Sequence, residues 1–153
     1  MAQLKGQAGG GRGAAIGFRL LALLVGIYFV SNGVQKSAWF TDSSLLAERL
    51  NAWVQNAAPG VRWYIETVAR PGVPLFARLL PLVELSTGAA LILGFWTRLA
   101  AALAFLMVVN LHFARGSFYE WAFLIDGAGL PVLGSLLALA LGGSRLPLSV
   151  SKS

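Results

Sequence analysis

Four long apolar segments dominate the chain, at residues 14–34, 75–96, 99–114 and 119–141. Each approaches the roughly 20 residues that an α-helix needs to cross the hydrocarbon core of a bilayer. The third segment is the shortest, and it can borrow Thr97 and Arg98 from the turn that precedes it. The pattern therefore predicts an all-α fold in the form of an integral membrane four-helix bundle.

Prolines and glycines modify two of these segments. Pro74 suits the first turn of the second span, and Pro81 is expected to kink it. The fourth span contains the run from Asp126 to Pro131 with two glycines, which predicts a bent or locally unwound helix. Small residues recur at every fourth position: Ala22 and Gly26; Ser86, Ala90 and Gly94; Gly134, Ala138 and Gly142. We interpret these stripes as helix-packing positions, because small residues let helix backbones approach closely in lipid.

A polar loop at residues 35–74 separates the first two spans. Leucine and other apolar positions at helical spacing predict an amphipathic helix near 44–57, which we expect to lie flat at the membrane interface. Ser43 or Ser44 would be its N-cap. A second short helix is expected between Pro59-Gly60 and Pro71-Gly72. Four aromatic residues of this loop are candidates for the interface with membrane or partner: Trp39, Trp53, Trp63 and Tyr64.

Composition and charge agree with a membrane protein. Hydrophobic residues make up 57% of the chain and charged residues 12%. The formal charge of +6 comes from basic residues that flank apolar runs, so we expect lipid headgroups and no nucleic acid. The chain has no cysteine, which excludes disulfides and iron–sulfur ligation by its own thiols.

The two ends of the chain are predicted to be tails. Residues 1–13 are glycine-rich and fit a flexible cytoplasmic tail, and residues 144–153 form a C-terminal tail. A signal peptide is the competing interpretation of the basic N-terminus, but no small-residue cleavage site follows the first apolar run. The basic residues of the short segments favour both termini inside and the 35–74 loop outside the cytoplasm.

Polar residues collect in the outer half of the four spans. They are Asn32, Gln35, Lys36, Glu84, Asn110, His112 and Asp126. Ionisable groups inside a bilayer are costly and mark candidate functional sites. The pattern predicts a polar, ligand-binding cavity that opens outward beneath the aromatic loop. Glu84 and Asp126 are the candidate proton-handling groups. The alternative is a purely structural network in which Glu84 pairs with Lys36 or Arg78.

No other motif in the chain points to a cofactor. No Glu-x-x-His or His-x-x-x-His spacing indicates a metal site, although His112 alone could be an axial ligand of a haem or chlorophyll. No covalent cofactor is expected. Quinone, lipid or chlorophyll remain the candidate ligands of the cavity.

Several sequence features resemble the DoxX family, which is related to the small subunits of thiosulfate:quinone oxidoreductase. Glu84-Leu85-Ser86-Thr87-Gly88 is followed by Gly94-Phe95-Trp96-Thr97-Arg98-Leu99-Ala100, the most specific part of the likeness. Asn32-Gly33-Val34-Gln35-Lys36 closes the first span, and Gly142–Ser149 is similar to the family's C-terminal motif. The likeness covers about residues 16–149, with Val150 where the family has Asp. It implies a four-helix bundle that often works as a partner subunit.

Three functions from different classes follow. The first is an accessory subunit of a larger respiratory or photosynthetic electron-transfer assembly, which scaffolds other membrane-protein subunits and holds lipid, quinone or pigment. The second is a quinone-coupled oxidoreductase subunit of the thiosulfate:quinone type. The third is a small-solute transporter, which the apolar inner half makes the least favoured. We expect the chain in the inner (cytoplasmic) membrane of a bacterial cell, with no catalysis of its own established by sequence.

Overall fold

A computed structural model describes the backbone of residues 2–143, with side chains from Arg12 onward except that of Ala122. Over this part of the chain all regular elements are helical. The α-helices are α1 (Ala2–Gln35), α2 (Ser44–Gln55), α3 (Pro59–Tyr64), α4 (Val73–Leu93), α5 (Thr97–Arg115), α6 (Ala122–Ile125) and α7 (Leu130–Gly142). The tail predicted at residues 144–153 lies outside the described residues.

Three of these helices are long and apolar enough to cross a membrane. They are the Arg12–Gln35 part of α1, α4 and α5. α4 has Pro74 in its first turn, as predicted, and it runs through the fully buried Pro81 without interruption. α5 begins at Thr97, so the third span does include Thr97 and Arg98.

The fourth apolar segment is broken into pieces. A 3-10 turn at Ser117–Tyr119 and the four-residue α6 precede α7, which has 13 residues. The backbone between Ile125 and Leu130 is not helical, which confirms the predicted interruption near Asp126. The fourth apolar segment, predicted at 119–141 to be bent or locally unwound, is therefore unwound near Asp126. The glycines on both sides of Ala128 explain this, because glycine is a poor helix former.

α1 begins earlier than the sequence suggested. Residues 2–13 were expected to be a flexible tail, but the helix starts at Ala2. The physical reason is that a helix already nucleated by a stable apolar segment gains a hydrogen bond for each residue added at its end. Among the residues with described side chains, the part of α1 that is apolar enough to span a membrane is Arg12–Gln35.

Glycine brings α1 and α4 into close antiparallel contact. A Cβ placed on Gly88 would lie 2.7 Å from the carbonyl oxygen of Gly26, and one on Gly33 would lie 2.7 Å from Leu85 Cγ. α5 packs along α7, and the contacts of α4 with α5 and of α7 with α1 complete the arrangement. Of the predicted small-residue stripes, Gly26 is at a close contact whereas Gly134 has open space around its Cα.

Two arginines donate hydrogen bonds to carbonyl oxygens near helix C-termini. Both lie at the end of the molecule that contains the α4–α5 turn, here called the turn end. Arg19 donates to the carbonyl oxygens of Leu91, at 3.1 Å, and of Ile92, at 2.6 Å. Both residues lie in the last turn of α4. Arg98 Nε donates to Ala140 O at 2.9 Å near the end of α7. Cations stabilise helix C-termini, where carbonyls lack partners. The carbonyls of Leu91 and Ile92 thus hold the guanidinium of Arg19 against the end of α4.

The loop between α1 and α4 has a hydrophobic core of its own, at the opposite end of the molecule, here called the loop end. Leu46 and Leu50 of α2 are both 3% exposed and pack with Val61 and Ile65 and with Ala77 of α4. The helix predicted near 44–57 is thus present, as is the short helix after Pro59. The apolar face of α2 packs against protein through Leu46 and Leu50. An amphipathic pattern requires an apolar partner but does not say which one.

Asp42 organises the start of α2. Ser43 occupies the N-cap position without a side-chain capping bond. Instead the hydroxyl of Ser44, at 2.6 Å, and its backbone N–H, at 2.9 Å, donate to Asp42 Oδ1. These bonds favour the charged carboxylate and lower the pKa of Asp42 below its ordinary value.

The glycine contact between α1 and α4 predicts opposite effects for two matched substitutions. Gly88→Ala would push a methyl group against the backbone of α1 and is expected to lower the free energy of unfolding by about 1–3 kcal/mol. Gly134→Ala, in α7, meets nothing within 4 Å and is expected to be neutral or stabilising by up to about 1 kcal/mol. Thermal unfolding of both variants in one detergent measures this. Equal effects of the two substitutions on the free energy of unfolding would contradict the close contact between α1 and α4.

Candidate functional site

A cavity of about 150 Å³ lies at the loop end, where α1 and α5 end. Its walls come from α1, α4 and α5, and one edge comes from the interrupted fourth segment. Its cover comes from α2 and from the 3-10 turn that follows α1, Ser37–Phe40. The lining residues include Tyr28, Asn32, Lys36, Trp39, Arg49, Trp53, Glu84, His112, Arg115 and Ala128. The structure thus gathers charged, polar and aromatic groups from six parts of the chain around one space.

An ion pair between Lys36 and Glu84 joins α1 to α4 beside the cavity. Lys36 Nζ lies 2.5 Å from Glu84 Oε1, and the two side chains are 16% and 4% exposed. The pair forms because the antiparallel contact of α1 with α4 places the end of one helix beside the middle of the other. The second carboxylate oxygen, Oε2, is buried and has no hydrogen-bond partner among the described residues.

His112 connects α5 with the interrupted fourth segment. Its Nε2 lies 2.9 Å from the backbone carbonyl oxygen of Ala128. A carbonyl oxygen only accepts hydrogen bonds, so Nε2 must carry the proton. The ring packs edge-on against Phe123, with centroids 5.1 Å apart. Nδ1 is buried without a partner in the described part of the chain, while the residue as a whole is 5% exposed.

Aromatic and cationic side chains cover the cavity. Trp39 is 6% exposed, with the guanidinium of Arg49 5.2 Å and the ammonium of Lys36 5.9 Å from its ring centroid. These distances are within the range of cation–π attraction. Trp39 was predicted to lie at an interface with membrane or partner, and the structure instead buries it under the loop. Its apolar ring gains more from the core of the loop than from the surface.

Four of the seven predicted ligand-binding residues line this cavity together: Asn32, Lys36, Glu84 and His112. Asp126 lies at its edge, where it accepts from the Ala128 N–H at 3.0 Å and approaches Arg115 at 3.8 Å. Gln35 is exposed at the end of α1. Asn110 points elsewhere and donates to the hydroxyl of Tyr64 at 2.7 Å. The structure therefore does not bring Gln35 or Asn110 into the cavity.

Three lining residues with polar or charged side chains were missed by the sequence analysis. Tyr28 lies one turn before Asn32 on α1, and helical spacing from Asn32 could have found it. Arg49 and Arg115 could not have been found in this way, because their approach depends on how the loop folds back over α5. Of the other predicted interface residues, Trp53 lines the cavity, Tyr64 is half-buried and Trp63 is 63% exposed.

Metal ligands do not cluster at this site. Within residues 2–143, no three His, Cys, Asp or Glu side chains come together to hold a metal ion. His112 offers one nitrogen, and its surroundings are Phe118, Phe123 and the Ala128 carbonyl. The chemistry that this arrangement provides is hydrogen bonding and charge, with a ring-sized apolar wall.

Comparison with known proteins identifies the family. The family model of DoxX matches residues 17–115, which is more than half of the chain. The chain belongs to the DoxX family. No curated protein and no solved structure matches it. The matched region of this DoxX protein contains Lys36 and the whole of α4 and α5. It therefore includes His112 and both partners of the buried ion pair.

The buried ion pair predicts a specific stability pattern. Lys36→Met would leave the Glu84 carboxylate buried and unpaired, with an expected loss of about 3–5 kcal/mol in the free energy of unfolding. The double variant Lys36→Met/Glu84→Gln removes both charges and is expected to recover most of that loss. Urea or thermal unfolding in detergent measures the cycle.

Arg78→Met is the matched control for this cycle. Arg78 is an exposed cation on α4, and within the described part of the chain its guanidinium donates to Pro74 O, one turn away. Its removal is expected to change stability by less than about 0.5 kcal/mol. If Lys36→Met and Arg78→Met had the same small effect, the ion pair would not contribute to stability as described.

Proposed function

We propose that this DoxX-family protein is an accessory subunit of a larger membrane redox assembly, whether respiratory or photosynthetic. In this proposal the chain scaffolds other membrane-protein subunits. Its loop-end cavity holds the head group of a membrane-soluble ligand, for which a quinone-type ring is the first candidate and a lipid or pigment the others. The observation that carries the proposal is the cavity with its buried Lys36–Glu84 pair and His112.

The cavity chemistry supports a ring-shaped head group. Tyr28, Phe29, Trp39 and Trp53 supply aromatic walls, and Glu84 and His112 each hold an unpartnered buried atom, as far as the described residues show. Ligand sites are typically apolar clefts with a few placed polar groups. A buried polar atom without a partner is costly, so a ligand that satisfies it gains affinity.

The outer aromatic residues support a partner subunit. Tyr119, Trp121 and Ile125 are 68%, 80% and 79% exposed, and all lie on the segment that precedes α7. Large exposed apolar side chains close together in sequence are typical of lipid or protein contacts. In the proposed assembly this segment and the exposed Trp63 contact another subunit or the lipid around it.

The topology in the membrane is part of the proposal. α7 alone spans about 20 Å, less than the roughly 30 Å of hydrocarbon, so the fourth crossing would need α6 and the unwound residues as well. Non-helical backbone is tolerated at membrane depth only where its polar groups find partners. The bonds of His112 to Ala128 O and of Gly129 N–H to Asp126 O meet that condition. Four crossings would form a four-helix bundle with both termini inside and with α2 and α3 at the outer interface of a bacterial inner membrane.

A quinone-coupled oxidoreductase subunit of the thiosulfate:quinone type is the second candidate function. The observation that favours it is the proximity of two proton-accepting groups, Glu84 and His112, on the wall of one cavity. In that case the chain would exchange protons with the bound ring while a partner supplies electrons.

Purification in a mild detergent tests the proposed function. We expect the chain to co-purify with other membrane subunits, and solvent extracts of the complex to contain a stoichiometric quinone, lipid or pigment by mass spectrometry. Glu84→Gln is expected to lower the bound ligand several-fold, because it alters the polar wall. Glu66→Gln, an exposed carboxylate outside the cavity, is the control and should retain it.

Two results would count against the accessory role. A chain that purifies alone, without ligand in the wild type and in both variants, would contradict it. The second candidate function would be favoured if the chain co-purified with one partner that lacks cofactors and if the complex had quinone reductase activity. That activity should then disappear in Glu84→Gln and persist in Glu66→Gln.

Single cysteines test the proposed topology, since the chain has none of its own. Gln55→Cys should react with a membrane-impermeant maleimide in spheroplasts. Phe95→Cys and Ser151→Cys should react only after the membrane is permeabilised. Labelling of Ser151→Cys from outside would mean that the fourth segment does not cross. If Gln55→Cys were protected and Phe95→Cys were labelled from outside, the orientation in the membrane would be the opposite of the proposed one.

A further inference from the structure

Two of the residues that line the cavity, Glu84 and His112, each have a buried side-chain atom without a partner among the described residues, and both atoms are hydrogen-bond acceptors. We infer that the cavity selects a ring that carries hydroxyl donors, and so takes the reduced, dihydroxy form of a quinone in preference to the oxidised, dicarbonyl form. This inference rests on the proposed function, because it assumes that a quinone-type ring is the ligand. It goes further by naming which redox form the protein stabilises.

The hydrogen bond to Ala128 determines what His112 can offer a ligand. Because Nε2 must donate to the Ala128 carbonyl oxygen, a neutral imidazole has its lone pair at Nδ1. That atom is buried and has no partner among the described residues. His112 therefore presents an acceptor, and its ring is held in place by the edge-on contact with Phe123.

The ion pair determines what Glu84 can offer. Lys36 donates to Oε1, so the carboxylate is charged and both of its oxygens are acceptors only. Oε2 remains buried without a partner in residues 2–143. Glu84 is 3% exposed and His112 is 5% exposed, and both belong to the wall of the same cavity. The two unpartnered buried atoms of these lining residues are thus both acceptors.

The cationic donors of the same cavity are already engaged. Lys36 donates to Glu84, Arg49 lies over the ring of Trp39, and Arg115 approaches Asp126 at 3.8 Å. Arg49 and Arg115 are also exposed, so water can solvate them at the rim. A ligand that satisfies the buried atoms must therefore bring donors. Quinol hydroxyls do so, whereas quinone carbonyls would place oxygen lone pairs against acceptors and leave them unsatisfied.

Three ring compounds of nearly equal size separate donor recognition from shape. Tetramethyl-1,4-benzoquinone has two acceptors and no free ring position for attack by lysine. Its quinol has two hydroxyl donors. The dimethyl ether of that quinol has no donor and does not change redox state. Anaerobic calorimetric titration of the detergent-solubilised protein, corrected for partition into protein-free micelles, measures the dissociation constant of each.

We expect the quinol to bind at least about tenfold more tightly than either the quinone or the dimethyl ether. For a two-electron couple, a tenfold preference for the reduced form raises the reduction potential of the bound couple by about 30 mV. Lys36→Met/Glu84→Gln should lose most of the preference, because a carboxamide offers a donor as well as an acceptor. Glu66→Gln should retain it. Circular dichroism and thermal unfolding confirm that both variants fold.

The outcomes distinguish this inference from the proposed function. Equal affinity for quinol and quinone, or tighter binding of the quinone, would overturn the donor preference while ring binding stands. A preference that is unchanged in Lys36→Met/Glu84→Gln and in His112→Phe would also overturn it, since other atoms would then recognise the hydroxyls. Absence of binding by all three compounds would overturn quinone-type ring binding and the inference with it.

Discussion

The close contact between α1 and α4 sets the position of the polar groups that join these two helices at both ends of the molecule. Gly26 and Gly88 lie so close that a methyl group on either would meet the backbone of the other helix. Helices this close in an antiparallel pair cannot slide without a clash. The contact therefore fixes Lys36 beside Glu84 at the loop end and Arg19 beside the last carbonyls of α4 at the turn end. In lipid, where apolar burial gives little preference between helix faces, such packing determines register.

A low-dielectric environment makes every unsatisfied polar atom costly, and the described side chains meet that constraint almost everywhere. Three buried atoms are exceptions: Arg19 Nε, Glu84 Oε2 and His112 Nδ1. Arg19 already makes two hydrogen bonds through its terminal nitrogens, so its exception is minor. The other two belong to one cavity wall and come from different helices. A structural network alone would be expected to satisfy these acceptors internally, and their shared location is what favours a ligand over a purely structural role.

Hydropathy predicted the helices of this chain better than their contacts. The bounds of α4 and α5 differ from the predicted spans by a few residues, because a bilayer sets helix length directly. Predicting which individual side chains face the cavity required the geometry of the helix as well as hydropathy. Asn32 and Lys36 are four residues apart and share a face, and both reach the cavity. Asn110 and His112 are two residues apart, about 200° around a helix, so they could not both do so. The burial of Trp39 and the approach of Arg49 depend on the loop core, which no periodicity within one helix encodes.

The interruption of the fourth segment and the chemistry of the cavity are physically linked. In a continuous helix the carbonyl of Ala128 would accept from the backbone N–H four residues later, and His112 would have no fixed partner there. The glycines around Ala128 remove that bond, and the imidazole takes its place. The same bond puts the ring proton on Nε2 and leaves Nδ1 as an acceptor within the cavity wall. A local weakness in helix propensity thereby determines a tautomer 16 residues away in sequence. The recognition properties of the site follow from backbone conformation as much as from the side chains that line it.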